Sequence, residues 1–183
     1  AGKQVTASSG SLSEAVSASF SVGAAGATAL TFDQAPGNIT AGVAFSPAIA
    51  VSVRDAFGNL VSDATDEVSL AVTSGTGALV GTATQNAVAG VATFPSLTMN
   101  VAGAGKQVTA SSGSLSDAVS AGFSVSAAAP PSIAFVQQPT NVVAGATMSP
   151  AVTARIADAF DNGISGESVT LSLNGSGALT GGG

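Results

Sequence analysis

The stretch AGKQVTASSGSLSEAVSASFSV, residues 1–22, returns almost unchanged as AGKQVTASSGSLSDAVSAGFSV, residues 104–125. Twenty of 22 positions are identical at an offset of 103; Glu14 against Asp117 and Ser19 against Gly122 are the exceptions. A period of that length marks a repeated structural unit and resets every other inference from the sequence. The same offset carries Phe32 to Phe135, Pro36 to Pro139, Gly42 to Gly145, Pro47 to Pro150, Asp55 to Asp158, Phe57 to Phe160 and Asn59 to Asn162. Short deletions then shift the register, so that Val68, Leu70 and Val72 match Val169, Leu171 and Leu173, and GTGAL at Gly75–Leu79 matches GSGAL at Gly175–Leu179. Three pieces result: residues 1–22 as the C-terminal strands of a partial repeat, residues 23–126 as a complete repeat, and residues 127–183 as the N-terminal part of a third. The linkers, Gly23–Thr28 and Ser126–Ser132, are short and rich in Ala, Gly and Pro, which predicts limited freedom between neighbours.

Within the complete repeat, apolar residues alternate with period two, the signature of half-buried strands. Leu30, Phe32 and Gln34 open the first strand, and Pro36-Gly37-Asn38 ends it. Ile49, Val51 and Val53 alternate with Ala50, Ser52 and Arg54 and run into the turn Asp55-Ala56-Phe57-Gly58-Asn59. Val68, Leu70 and Val72 follow, then a turn at Gly75-Thr76-Gly77. Short strands are expected at Ala78–Val80 and Val91–Phe94, and a last hairpin pairs Lys106–Ala110 with Ala118–Val125. No segment longer than ten residues carries a clean helical stripe. About seven short strands with frequent turns predict an all-β fold of tandem immunoglobulin-like β-sandwich repeats of about 103 residues. The expected core is Phe32, Ile49, Val51, Val53, Val68, Leu70, Val72, Phe94, Leu97, Val108, Phe123 and Val125. Burial at roughly 1.5–3 kcal/mol per side chain offsets much of the ordering entropy.

Composition removes whole classes of chemistry. The 183 residues include no Cys, His, Trp or Tyr. The common zinc, iron–sulfur and haem ligand sets therefore cannot be assembled, nor can a Ser–His or Cys–His pair. No catalytic, cofactor-binding or metal residue is assigned, no cofactor is expected, and the chain is not expected to be an enzyme. Four basic residues, Lys3, Arg54, Lys106 and Arg155, stand against ten acids, for a net charge of −6. Nucleic-acid binding needs clustered cations, and docking on anionic lipid needs the same; neither partner is expected. No apolar run is long enough to span a membrane, and the stretch from Ala1 shows no charged n-region, so no signal peptide is visible in it. Charged residues make up only 8% of the chain, which suits an extracellular surface exposed to changing salt and pH.

Several motifs carry a functional reading beside a structural one. The Asp55–Asn59 turn, with Asp63, Asp66 and Glu67, offers oxygen ligands for calcium. The structural reading is that Asp opens the turn, Gly or Asn takes the positive φ, and Phe57 covers one end of the core. The second copy, Asp158–Asn162, keeps only Glu167 nearby. Lys3 and Lys106 are candidates for an isopeptide bond to Asn100 or Asp117; otherwise each is a solvated lysine at a strand end. Asn38-Ile39-Thr40 and Asn174-Gly175-Ser176 match a glycosylation pattern that is frequent by chance in a Ser/Thr-rich chain. Sugar-binding β-sandwiches stack glycans on exposed Trp or Tyr, both absent here, and the eight Phe fall mostly at core-phase positions.

Along the complete repeat the residues read F-x-x-x-P from Phe32, A-G from Ala41, S-P-A from Ser46, V-x-V-x-D-A-F-G-N from Val51, V-x-L from Val68, G-x-G-x-L-x-G-T from Gly75, G-V-A-T-F from Gly90 and T-A-S-S-G-x-L-x-x-A-x-S-x-x-F-x-V from Thr109. This pattern resembles the bacterial immunoglobulin-like tandem repeats of surface and secreted proteins, including relatives of the invasin and intimin adhesins. It covers essentially the whole chain; Lys106-Gln107 departs from it where an aromatic residue is commoner. The resemblance implies a structural, extracellular or cell-surface segment of a stalk or filament of a bacterial appendage or adhesin. The alternative it leaves open is a glycan- or host-protein-binding module. Expected partners are neighbouring repeats or identical chains. With so few lysines the strand edges are poorly defended, so either linkers and neighbouring repeats cover them or edge pairing makes lateral fibre contacts. Strand completion is the second route: residues 1–22 of one chain supply last strands, and residues 127–183 of another supply first strands.

Overall fold

The computed structural model describes residues 2–180; Ala1 and residues 181–183, the outermost positions of the first and third pieces, lie outside them. The described residues contain strands and turns and no helix, so no helix is long and apolar enough to cross a membrane. In chain order the strands are β1 (Thr6–Ala7), β2 (Ala15–Val16), β3 (Ala27–Gln34), β4 (Ile39–Thr40), β5 (Ile49–Asp55), β6 (Glu67–Ser74), β7 (Leu79–Val80), β8 (Thr84–Asn86), β9 (Val91–Phe94), β10 (Thr98–Met99), β11 (Gly103–Ser111), β12 (Ala118–Val119), β13 (Phe123–Ser126), β14 (Ser132–Gln137) and β15 (Thr153–Ala157).

Two larger sheets build the middle of the chain, beside the two-stranded antiparallel pair of β7 with β10. One is β3-β5-β9, antiparallel throughout. The other runs β4-β13-β11-β6-β8, with β12 also paired to β11. In it β4 joins β13 in parallel, aligning Ile39 with Val125. The alternation read from the sequence puts Ile49, Val51 and Val53 of β5 and Val68 and Leu70 of β6 inside, because successive side chains on a strand point to opposite faces. These side chains meet Phe94, Val108, Phe123 and Val125 in one buried cluster. Phe45 packs edge-on against Phe123, with centroids 5.5 Å apart at 83°, the arrangement that the ring quadrupoles favour.

Ten of the twelve expected core residues are buried; Phe32 and Val72 are half-buried and packed against the cluster. Leu30, Ala41, Phe45, Val61, Ala64, Ala87, Ala92, Met99 and Ala110 complete it. The expected last hairpin differs in detail. Its first strand starts at Gly103, and its return arm divides into β12 and β13 around Ser120. The cause is Ser120, whose buried hydroxyl accepts from Val108 N–H (3.0 Å) and donates to Ala121 O (2.9 Å), replacing ladder bonds. The exposed first piece repeats this device: Val5 N–H donates to Ser17 Oγ (2.9 Å), and Ser17 Oγ donates to Ala18 O (2.9 Å). Its register, Thr6 with Val16 and Ala7 with Ala15, is that of Thr109 with Val119 and Ala110 with Ala118. In the third piece β14 pairs with β15, whereas Val169, Leu171 and Leu173, expected in a strand, lie outside any strand and are exposed. Counterparts of β11, which pairs with β6 in the complete repeat, and of β13, which pairs with β11, do not occur within residues 127–180.

Candidate functional site: the Asp–Phe–Asn turn at the junction of two repeats

The turn after β5 is organised by one carboxylate. Asp55 Oδ1 accepts the N–H groups of Phe57 (2.9 Å) and Asn59 (2.8 Å). Oδ2 accepts the N–H of Ala25 (2.9 Å) and the side-chain amide of Asn59 (3.0 Å). Asp55 is therefore a clamp, fixing its own turn and tying down the linker through which the chain enters the repeat. A carboxylate offers about four lone-pair sites, and N–H groups occupy four here. Gly58 takes the left-handed conformation, with φ of 80°. The Asn59 amide, opposed by burial and joined by the three backbone N–H groups, holds the carboxyl pKa down at about 2.

The second copy reproduces this bond for bond. Asp158 Oδ1 accepts from Phe160 N–H (2.9 Å) and Asn162 N–H (2.9 Å). Oδ2 accepts from Ala128 N–H (2.8 Å) in the next linker and from the Asn162 amide (2.8 Å). Burial pushes the Asp158 carboxyl up, but the Asn162 amide and the N–H groups of Ala128, Asn162 and Phe160 outweigh it and hold it at about 2. Here Asp161, with φ of 66°, stands at the left-handed position in place of glycine. The carbonyl at that position is bound by arginine in both turns: Arg54 Nη1 donates to Gly58 O (3.0 Å) and Arg155 Nη2 to Asp161 O (2.6 Å). Arg54 and Arg155 are not equivalent under the 103 offset. Arg155 corresponds to Ser52, two residues before Arg54 and so on the same strand face.

Phe57 corrects the sequence-based expectation. It is 82% exposed and covers no core, because Asp55 already closes the turn and aims the ring outward. Phe160, its counterpart, is 40% exposed and lies against Gly42 of the preceding repeat. A Cβ on Gly42 would sit 2.5 Å from Phe160 Cζ and 2.7 Å from Cε2, and Gly42 itself has φ of 78°. Beside it, Asn162 spans the junction. Its Oδ1 accepts Ala102 N–H (2.7 Å) and its Nδ2 donates to Asn100 O (2.7 Å) while keeping its bond to Asp158. One asparagine thus braces its own turn and binds the end of the neighbouring repeat. Gly42, Phe160 and Asn162 were visible in the sequence as recurring positions; what stayed hidden was that Phe160 meets Gly42 and that Asn162 reaches Asn100 and Ala102.

The acidic residues proposed as companions of the turn do not converge on it. Among the described residues no three acidic side chains are grouped to hold a cation. Lys106 is a second correction: it is fully buried, not a solvated strand end. Its Nζ donates to Thr76 O (2.5 Å), and no hydrogen bond or ion pair among the described residues joins it to Asn100 or Asp117. The Gly75-Thr76-Gly77 turn wraps its stem, and a Cβ on Gly75 would lie 2.9 Å from Lys106 Cγ. Lys3 is exposed, as expected of a strand-end lysine. Of the sequon asparagines, Asn38 uses its Oδ1 to accept Ser124 N–H (2.7 Å). Of the eight Phe, only Phe45, Phe94 and Phe123 are buried. Open grooves of about 310 and 260 Å³ flank β14 and β15, and the sole aromatic lining residue is Phe135, in the second.

No family model matches the sequence, and no curated protein matches it. Among solved structures the chain is similar to domains 4–9 of the surface layer protein SbsC, at 15% identity and a TM-score of 0.38, over 83% of this chain and 23% of that one. The chain therefore spans about a quarter of the length of that structure, and a likeness at this level carries no argument about fold or role.

Proposed function

We propose that the chain is a structural segment of an extracellular bacterial stalk or filament, built from immunoglobulin-like β-sandwich repeats with the boundaries 1–22, 23–126 and 127–183. On this reading it is not an enzyme. The observation that carries the proposal is the junction: the turn that fixes the entry linker of one repeat also binds the repeat before it, through Phe160 against Gly42 and Asn162 against Asn100 and Ala102. Such an arrangement sets the angle between neighbours and makes an array stiff. The absence of His and Cys and the engagement of both clamp carboxylates by N–H groups fit a scaffold, not a reaction centre.

Negative-stain electron microscopy of the native material tests this. Rods or filaments with a regular axial repeat are expected. Compact particles without axial order would overturn the reading, and saturable binding of the full chain to a glycan or host matrix protein would favour a binding module instead.

A further inference from the structure

Phe57 is the one core-sized aromatic ring in the complete repeat that the described structure leaves almost bare, and it sits on a turn whose twin is docked. The two turns share every clamp bond, from the aspartate to the linker amide. Asn59 points its amide nitrogen at Asp55 as Asn162 does at Asp158, yet only Asn162 has further partners in a neighbouring repeat. We propose that the Phe57–Asn59 turn is a docking plug, and that its partner is the end of another repeat of this same kind, presenting the counterparts of Gly42, Asn100 and Ala102. The ring of Phe57 seats on the glycine, where a side chain would collide. The Asn59 amide oxygen accepts the alanine N–H, and its nitrogen donates to the asparagine carbonyl. The plug and the socket lie on opposite ends of one repeat, so the contact is heterologous, and heterologous contacts of this type propagate in one direction. The inference rests on the structural reading above and specifies how the segments of such an array lock together.

The test uses the repeat itself. Because residues 1–22 match 104–125, a copy of residues 23–103 placed ahead of Ala1 completes a repeat whose socket faces Phe57. The readout is amide hydrogen exchange, followed by NMR, at the alanine corresponding to Ala102 in the added copy. It is expected to be protected to within about threefold of the chain's own Ala102, which is bound by Asn162 and serves as a control in the same molecule. Phe57→Ser, at an exposed side chain, is expected to speed exchange at the added copy's alanine at least tenfold and leave Ala102 unchanged. Free exchange at the added alanine while Ala102 stays protected would overturn the proposal, as would protection that Phe57→Ser does not touch. Neither result depends on whether the native material is filamentous, so failure of the docking plug and failure of the stalk reading are separable.

Discussion

Gly42→Ala should undock the third segment from the complete repeat, and Gly145→Ala should not. The two glycines are equivalent under the 103 offset and share a left-handed conformation, with φ of 78° and 82°. Both substitutions therefore carry the same backbone strain, roughly 1–2 kcal/mol. They differ in their surroundings: a Cβ at Gly42 would strike the ring of Phe160, whereas a Cβ at Gly145 would meet nothing within 4 Å beyond its chain neighbours. The contact at stake can be sized from the paired phenylalanines. Phe57 is 82% exposed and Phe160 40%, so docking covers 82 − 40 = 42% of the residue. For an aromatic side chain that buries on the order of 200 Å², this is about 85 Å², or ~2 kcal/mol at about 25 cal/mol per Å². Losing it should lower the ratio of docked to undocked molecules about 30-fold. The chain has no cysteine, so spin labels on cysteines introduced at Ser62 and Ser165 report the distance between the two repeats by pulsed dipolar spectroscopy. A narrow distribution is expected for the parent and for Gly145→Ala, and a broad one for Gly42→Ala. Phe160→Ala should broaden the distribution by itself and abolish any further effect of Gly42→Ala, since the two share one contact. Equal broadening by both glycine substitutions would refute the reasoning, because backbone strain alone would then account for it.

Acid should weaken the clamps. Both aspartates have folded pKa values of about 2 against 3.8 for the free side chain. Between these values the unfolded chain takes up protons that the folded chain does not, so the clamps stabilise fully above about pH 4 and are lost as pH falls toward 2. Urea midpoints measured from pH 5 to pH 2 should show this fall, reduced in Asp55→Asn. Lys106→Ala should cost about 2–5 kcal/mol in urea unfolding, since it opens a cavity and strands the Thr76 carbonyl. Lys106→Met, which keeps most of the stem, should cost less. Phe94→Ala, at the centre of the core, should cost about 3–5 kcal/mol by the same assay.

The strands with strict alternation were legible because alternation is a local property. Ile49, Val51, Val53, Val68 and Leu70 each show their inward face within their own segment. The parallel pairing of β4 with β13 joins residues 86 positions apart, such as Ile39 and Val125, and nothing local to either marks it. Lys106 was misread for the reason that makes it unusual: lysine in a strand is normally a surface residue, and only the glycine turn wrapped over its stem makes room for it inside. Phe57 was misread in the opposite sense. An aromatic ring in a turn ordinarily seeks its own core, and this ring is turned outward by an aspartate whose four bonds no periodicity reveals. The repeat offered the missing clue without its meaning, since Gly42, Phe57 and Asn59 recur as Gly145, Phe160 and Asn162, and the junction sets Gly42 of one copy against Phe160 of the next.

The burial of Lys106 also bears on how well the chain withstands proteolysis. Proteases of trypsin-like specificity cut only after lysine or arginine, and this chain holds four such residues. Lys106 is sealed in the core, and Arg54 lies on the central strand of its sheet, held by Asp33 (2.8 Å). That leaves Lys3 in the exposed N-terminal piece and Arg155 on the β14–β15 hairpin. Digestion should therefore trim the ends and release one resistant fragment, Gln4–Arg155, so that scarcity of cations and concealment of one of them act together as armour against degradation.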